Sequence, residues 1–292
     1  MTAMLHALFI APFADFEFMR RALVACLALA LGSGPMGVFL ILRRMSLVGD
    51  ALSHAIMPGA AVGFLLAGLS LPAMSLGGFV AGLLVALLSG VVARVSKQRE
   101  DASFAAFYLI SLAAGVLIVS TRGSNVDLMH VLFGSILAVD NASLLLVAGI
   151  SSFTLLAFAL VYRLLVVECF DPGFLRAVGG GGSGIHMLFL VLVVLNLVAG
   201  FQALGTLMAV GLMMLPAIAS RFWVREVWSL ALLSIAFAFL SGYAGLVISF
   251  QHNLPSGPAI VLFAGVLYVA SFVFGRHGGL IATLWPGRHR RR

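Results

Sequence analysis

Asp50 and His54 are the residues in this chain best placed to do chemistry. They open a long apolar run, in the stretch Arg43-Arg44-Met45-Ser46-Leu47-Val48-Gly49-Asp50-Ala51-Leu52-Ser53-His54-Ala55, and no further charge occurs through Leu71. At 3.6 residues per turn, positions four apart sit one above the other on a helix face. An ionisable side chain within a membrane span costs several kcal/mol, roughly 2.5 or more on insertion scales, so it marks a functional site by default. A carboxylate oxygen with an imidazole nitrogen is a donor pair that suits a divalent transition metal. Asp50 reads equally as the N-cap of the span it precedes, and the two roles are compatible. His54 lies one turn deeper, where capping does not explain it; its structural alternative is a helix–helix hydrogen bond.

Weaker candidates lie elsewhere. Asp127 and His130 stand three apart near the external end of a span, where they form an outer vestibule site or Asp127 simply caps a short helix. His252, in the turn Gln251-His252-Asn253-Leu254-Pro255, either touches an entering ion or a delivery protein, or is a solvated loop histidine. His186 opens a span on the cytoplasmic side and reads as interfacial. The twelve methionines show no clustered pattern and read as core filler.

Composition dictates what must hold these residues. Of 292 residues, 62% are hydrophobic and 9% charged, and the mean hydropathy is +1.17. A soluble domain carries about 25% charged residues. Several windows exceed the ~20 residues needed to cross a hydrocarbon core, and the period-2 pattern of a membrane barrel is missing. The fold class is therefore an all-α polytopic membrane protein of about eight or nine transmembrane helices. The windows fall near 18–42, 50–70, 73–95, 103–121, 141–166, 186–203, 205–221, 227–250 and 256–275, with a partial helix in 127–139. Residues 1–17 read as an N-terminal interfacial segment, 18–277 as the transmembrane body and 278–292 as a basic tail.

Arginines orient the chain. They collect at Arg43/Arg44, Arg94/Arg99, Arg163/Arg176, Arg221/Arg225 and 276–292, and the positive-inside rule puts these connections in the cytoplasm. Nine spans then place the N-terminus outside. The net charge of +7 reads as topology and anionic-lipid contact, with no nucleic-acid partner. Cys26 and Cys169 sit in or beside different apolar segments and are expected to be free thiols. The spacings Gly59-x-x-x-Gly63 and Gly78-x-x-x-Gly82 point to close helix packing within the chain.

The second informative stretch is 168–179. Asp171 and Pro172 provide an N-cap and an N1 proline, so a short helix is expected at the cytoplasmic end of a span. Its exposed Phe170 and Phe174 suit docking into a groove of another protein or, alternatively, lying on the bilayer. The glycine string 179–184 ends that helix and gives slack. Energy must come from elsewhere, because the chain has one lysine and no G-x-x-x-x-G-K-[ST] sequence. An ATPase would be a separate subunit; failing that, the protein is a secondary, ion-coupled metal carrier. An intramembrane metalloenzyme is disfavoured, since no H-E-x-x-H occurs and Glu168 and Glu226 are both cytoplasmic.

The block from Arg43 to Gly59 closely resembles the permease subunits of zinc and manganese ABC importers. So do Gly123-Ser124-Asn125-Val126-Asp127-Leu128-Met129-His130, Phe170-Asp171-Pro172, Gln202-Ala203-Leu204-Gly205-Thr206-Leu207 with Leu215-Pro216-Ala217, and Leu254-Pro255-Ser256-Gly257-Pro258. The matches run in order from about residue 18 to 277. The resemblance implies a homodimeric permease of the bacterial inner membrane, with cytoplasmic ABC ATPase subunits and an extracytoplasmic metal-binding protein that delivers the ion. It implies no permanently bound cofactor; Zn²⁺ or Mn²⁺ is cargo. Asp50 and His54 match the pair implicated in metal passage, and Glu168, Phe170, Asp171 and Phe174 fall in the coupling helix. Two chains about a two-fold axis would offer an N₂O₂ set compatible with tetrahedral zinc, which leans the reading to zinc.

Overall fold

The computed structural model describes residues 10–68, 70–96, 100–121, 136–177 and 182–284. Helices form wherever the apolar windows lie. They are α1 (Ala11–Asp15), α2 (Glu17–Leu42), α3 (Ser46–Ala67), α4 (Leu71–Ser96), α5 (Glu100–Thr121) and α6 (Asn141–Phe170). The short α7 (Pro172–Ala177) follows, then α8 (Gly182–Leu204), α9 (Thr206–Ser220), α10 (Val227–His252), α11 (Ser256–Phe274) and α12 (Leu280–Leu284). Among the described residues eight are long and apolar enough to cross a membrane: α2 to α6, α8, α10 and α11. Within 127–139, only a turn of 3₁₀ helix at Ile136–Ala138 belongs to the described residues.

The expected window 205–221 is occupied by a shorter apolar helix, α9, whose 15 residues span ~22 Å at 1.5 Å per residue. Gly205, at φ 86°, separates it from α8, a left-handed conformation that glycine adopts without steric cost. The chain folds back there: a Cβ on Gly200 would lie 2.5 Å from that of Ala209.

Burial separates a central layer from a lipid-facing one. α2 and α8 are buried along most of their length, whereas α5 and α6 are mostly uncovered. The outer face of α6 presents Leu145, Phe153, Leu156, Leu160 and Leu164. A stripe of that kind belongs against acyl chains, since water would favour its burial. Asp140 caps α6 by accepting a hydrogen bond from the Ser143 amide at 2.8 Å. Hydrogen bonding from Ser143 holds its carboxyl below the usual carboxylate range.

Two contacts set the position of α3. On one side it interlocks with α4, where a Cβ on Gly59 would stand 2.1 Å from the Gly77 carbonyl and one on Gly63 would stand 2.3 Å from that of Ala73. Gly78 and Gly82 receive the Ile56 side chain, so both small-residue spacings serve packing within the chain. On the other side, Met213 and Met214 of α9 press on Gly49. The expected window 50–70 therefore shifts, and the helix starts at Ser46. The reason is the turn before it. Arg44 adopts φ 59°, its amide donates to Ile41 O (3.0 Å) and that of Met45 to Leu40 O (2.8 Å). This Schellman-type closure ends α2 and lets the next helix begin two residues on.

Candidate metal site and coupling corner

Asp50 and His54 both lie inside α3. With Met45 in the cap position, Asp50 is an interior helical residue, so the capping role is set aside. At 1.5 Å per residue, Asp50 stands about 6 Å and His54 about 12 Å along the axis from Ser46. Asp50 Oδ1 and His54 Nε2 are 3.8 Å apart, beyond a hydrogen bond. Two donors sharing one metal at ~2.0–2.1 Å stand about 3.3 Å apart. A small side-chain rotation closes the difference.

The carboxylate is open, while the imidazole is largely packed against its own chain. The Asp50 side chain is 54% exposed and that of His54 20%. His54 is held from behind: its ring lies 5.8 Å from that of Tyr108 on α5, tilted by 31°. Its Nδ1 is buried with no partner among the described residues, and Nε2 is the nitrogen turned to Asp50. Pro58 follows one turn later within the helix, and, lacking an N–H, leaves the His54 carbonyl without its usual ladder donor. Sequence reasoning missed Tyr108, because nothing in the spacing of α5 marks which residue meets α3. No group of three or more His, Cys, Asp or Glu side chains assembles into a metal cluster among the described residues. Among the described residues Asp50 and His54 are two candidate donors, where a transition metal takes four or more.

Among the described residues no other candidate joins this pair in a cluster of three or more donors. Asp127 and His130 lie outside the described residues. His252 is the last residue of α10 rather than part of the turn, which begins at Asn253 with φ 52°. It is exposed, as is the turn that follows.

The expected single helix over 168–179 is divided. α6 runs on through Phe170, so Glu168 and Phe170 belong to the last turn of that long helix. Asp171 breaks the run, and its Oδ1 accepts a hydrogen bond from the Phe174 amide at 2.8 Å, capping α7 as its sequence dictates. Leu175 is buried, and α7 packs against the ends of α6 and α8. Phe170 and Phe174 stay 67% and 57% exposed. The glycine string is not all slack: Gly182 and Gly184 are already helical in α8. Cys26 and Cys169 are free. His186 is more than interfacial, since its Nδ1 lies 2.9 Å from Arg43 Nη1.

Comparison with known proteins agrees with this architecture. The chain is 32% identical over 275 residues to the manganese transport system membrane protein MntC of Halalkalibacterium halodurans, covering 94% of this chain and 93% of that one. It is 34% identical over 264 residues to the manganese import system permease protein ScaB of Streptococcus parasanguinis, covering 90% and 93%. The structure of PsaBC from Streptococcus pneumoniae in complex with Fab superposes with a TM-score of 0.84 at 31% identity, covering 96% of this chain and 99% of that one. The sequence profile of the ABC 3 transport family matches residues 15–275. That match takes in every membrane helix from α2 to α11, and the chain belongs to the ABC 3 transport family, as a multi-pass protein of the bacterial inner membrane.

Proposed function

We propose that this chain is the membrane subunit of an ATP-binding cassette importer that carries a divalent transition metal into the cytoplasm, manganese before zinc. The observation that carries the reading is the Asp50–His54 pair on a membrane helix, with the carboxylate half exposed and the imidazole partly exposed. It is a donor set too small to hold an ion alone. A second copy about a two-fold axis would bring two carboxylates and two imidazoles to one pathway. Such a site forms and breaks as the two α3 helices approach and part. It gives the transient coordination that conduction needs, since a tight fixed site would trap the ion.

The lean towards zinc gives way. The MntC and ScaB relatives, each aligned over 90% or more of this chain, are named for manganese and a further one for chelated iron, and N₂O₂ completed by water also fits a six-coordinate ion that prefers oxygen. ATP would be hydrolysed by a separate cytoplasmic subunit docked on Phe170 and Phe174 of the α6–α7 corner, with Glu168 and Asp171 shaping it. An extracytoplasmic binding protein would deliver the ion. No observation favours the ion-coupled carrier.

The test is a fused dimer with one wild-type half and one Asp50→Ala/His54→Ala half, assayed for ATP-dependent manganese uptake in vesicles. A shared site predicts loss of nearly all transport, because the metal keeps only half its protein donors. Independent pathways predict about half the wild-type rate, and that outcome would sink the shared site.

A further inference from the structure

The cytoplasmic end of α2 carries a half-buried arginine that metal passage does not use. Arg43 sits at the C-cap of α2, three residues before α3 begins, and its guanidinium fills the space between the ends of α6 and α8. Nη1 lies 2.9 Å from His186 Nδ1 on α8. Nε donates to Cys169 Sγ on α6 at 3.4 Å. The guanidinium carbon stands 4.4 Å from the centre of the Phe189 ring on α8, a cation–π contact. One side chain thus ties the start of the metal-bearing helix to both helices that flank the α7 corner.

Arg43 is nevertheless incompletely satisfied. Its Nη2 is buried with no acceptor among the described residues, and so is Glu168 Oε2, on the residue next to Cys169. Buried charges cost heavily unless paired, and these two are of opposite sign in one cluster. Glu168 lies in the last turn of α6, three residues before the Asp171 cap of α7. A force on α7 therefore reaches Glu168 through half a dozen residues of continuous backbone, and movement of that corner moves the carboxylate relative to Nη2.

We propose that Arg43 is the positioning residue that transmits movement of the α6–α7 corner to α3, gripping Cys169 and His186 in the arrangement seen here and pairing with Glu168 in the opposite state of the cycle. This rests on the reading of the chain as an ATP-driven permease. The two arrangements give the cluster a pair of discrete states that the corner biases, which is the physical requirement for coupling between sites. Arginine suits the role because its planar fork holds several partners at once, where lysine offers a point charge.

The experiment uses the full permease–ATPase complex in vesicles supplied with manganese, and reads the number of ions taken up per ATP hydrolysed. Arg43→Gln and Glu168→Gln are each expected to lower that ratio about tenfold or more, within the range of known coupling energies, with the KM for manganese unchanged. Arg43→Lys should recover part of it. The double variant should be no worse than the singles, as befits two ends of one contact. Glu168→Gln is the decisive variant, because its Oε2 has no hydrogen-bond partner among the described residues for the substitution to break. A wild-type ratio for Glu168→Gln overturns the proposal, and so does a fall only in step with a lowered thermal midpoint. A wild-type complex that shows no ATP-dependent uptake would instead overturn the permease reading on which it rests.

Discussion

A single methyl group on Gly59 tests how α3 is held. In Gly59→Ala the new carbon would stand 2.1 Å from the Gly77 carbonyl oxygen and 2.5 Å from Ala81 Cβ. The reciprocal contact is as close, since the Gly59 carbonyl lies 2.2 Å from where a Cβ on Gly77 would be. Both obstacles include backbone, which cannot rotate aside, so α3 and α4 must part by about 1 Å to restore an ordinary contact. Alanine gains about 1 kcal/mol of helix propensity over glycine. Overpacking costs ~1–3 kcal/mol, and a gap of 0.5–1 Å forfeits roughly a quarter to a half of the dispersion between the separated faces. Dispersion and close packing are the main forces holding helices together in lipid, so the net effect is a loss of about 1–2 kcal/mol. Thermal unfolding of the purified complex should shift down by ~2–8 °C. Uptake should fall further, because Gly59 lies five residues beyond His54 and a 1 Å displacement can cost up to ~100-fold where geometry is critical. Gly149→Ala in α6 and Gly265→Ala in α11 are the controls, since neither new carbon meets anything within 4 Å. They should melt at or above the wild-type temperature. If Gly59→Ala melts with them, the helices are not in backbone contact and the account of α3 is refuted.

Two further outcomes follow from the same geometry. Phe174→Asp places a charge where an exposed aromatic is proposed to dock; losing an aromatic anchor of ~2 kcal/mol weakens ATPase association ~30-fold, read by co-purification, and wild-type stoichiometry would move the docking elsewhere. Tyr108→Phe keeps the ring beside His54 and should leave manganese uptake near normal, while Tyr108→Ala removes an aromatic contact worth ~0.5–1.5 kcal/mol and should raise the KM ~2–10-fold; equal KM values for the two variants would show that the ring does not orient the imidazole.

Much of the fold was legible because membrane helices announce themselves by length and hydropathy alone. The uncertain split near Gly205 was readable too, since glycine there marked a place where the backbone leaves helical space, and the structure turns the chain back at that residue. What could not be read was the start of α3. Arg44 gives no hint of a left-handed residue, a conformation that glycine usually fills, so the expected boundary fell at Asp50 and made that carboxylate look like a cap. The break at Asp171 is legible as a capping signal, and the run of α6 to Phe170, past the expected window end at 166, fits the lack of any Gly or Pro between Leu165 and Phe170.

The site divides along the same line between local and non-local information. Asp50 and His54 were found from spacing, because an i, i+4 pair is fixed by helix geometry whatever the tertiary fold. Tyr108 and the Arg43 cluster depend on which face of one helix meets another, over 50 to 143 positions apart in the chain, and no periodicity in a uniformly apolar sequence encodes that. Arg43 illustrates the cost of reading charge by composition alone. Counted with its neighbours it is one more cytoplasmic arginine obeying the positive-inside rule, yet its guanidinium is turned inward among Cys169, His186 and Phe189. A residue needed only for topology would keep its charge in water or at the lipid headgroups, where solvation is cheap. Turning it inward, with one nitrogen left unpartnered among the described residues, makes sense where the protein gains two states from the arrangement, and the α6–α7 corner is where an ATPase-driven force would choose between them.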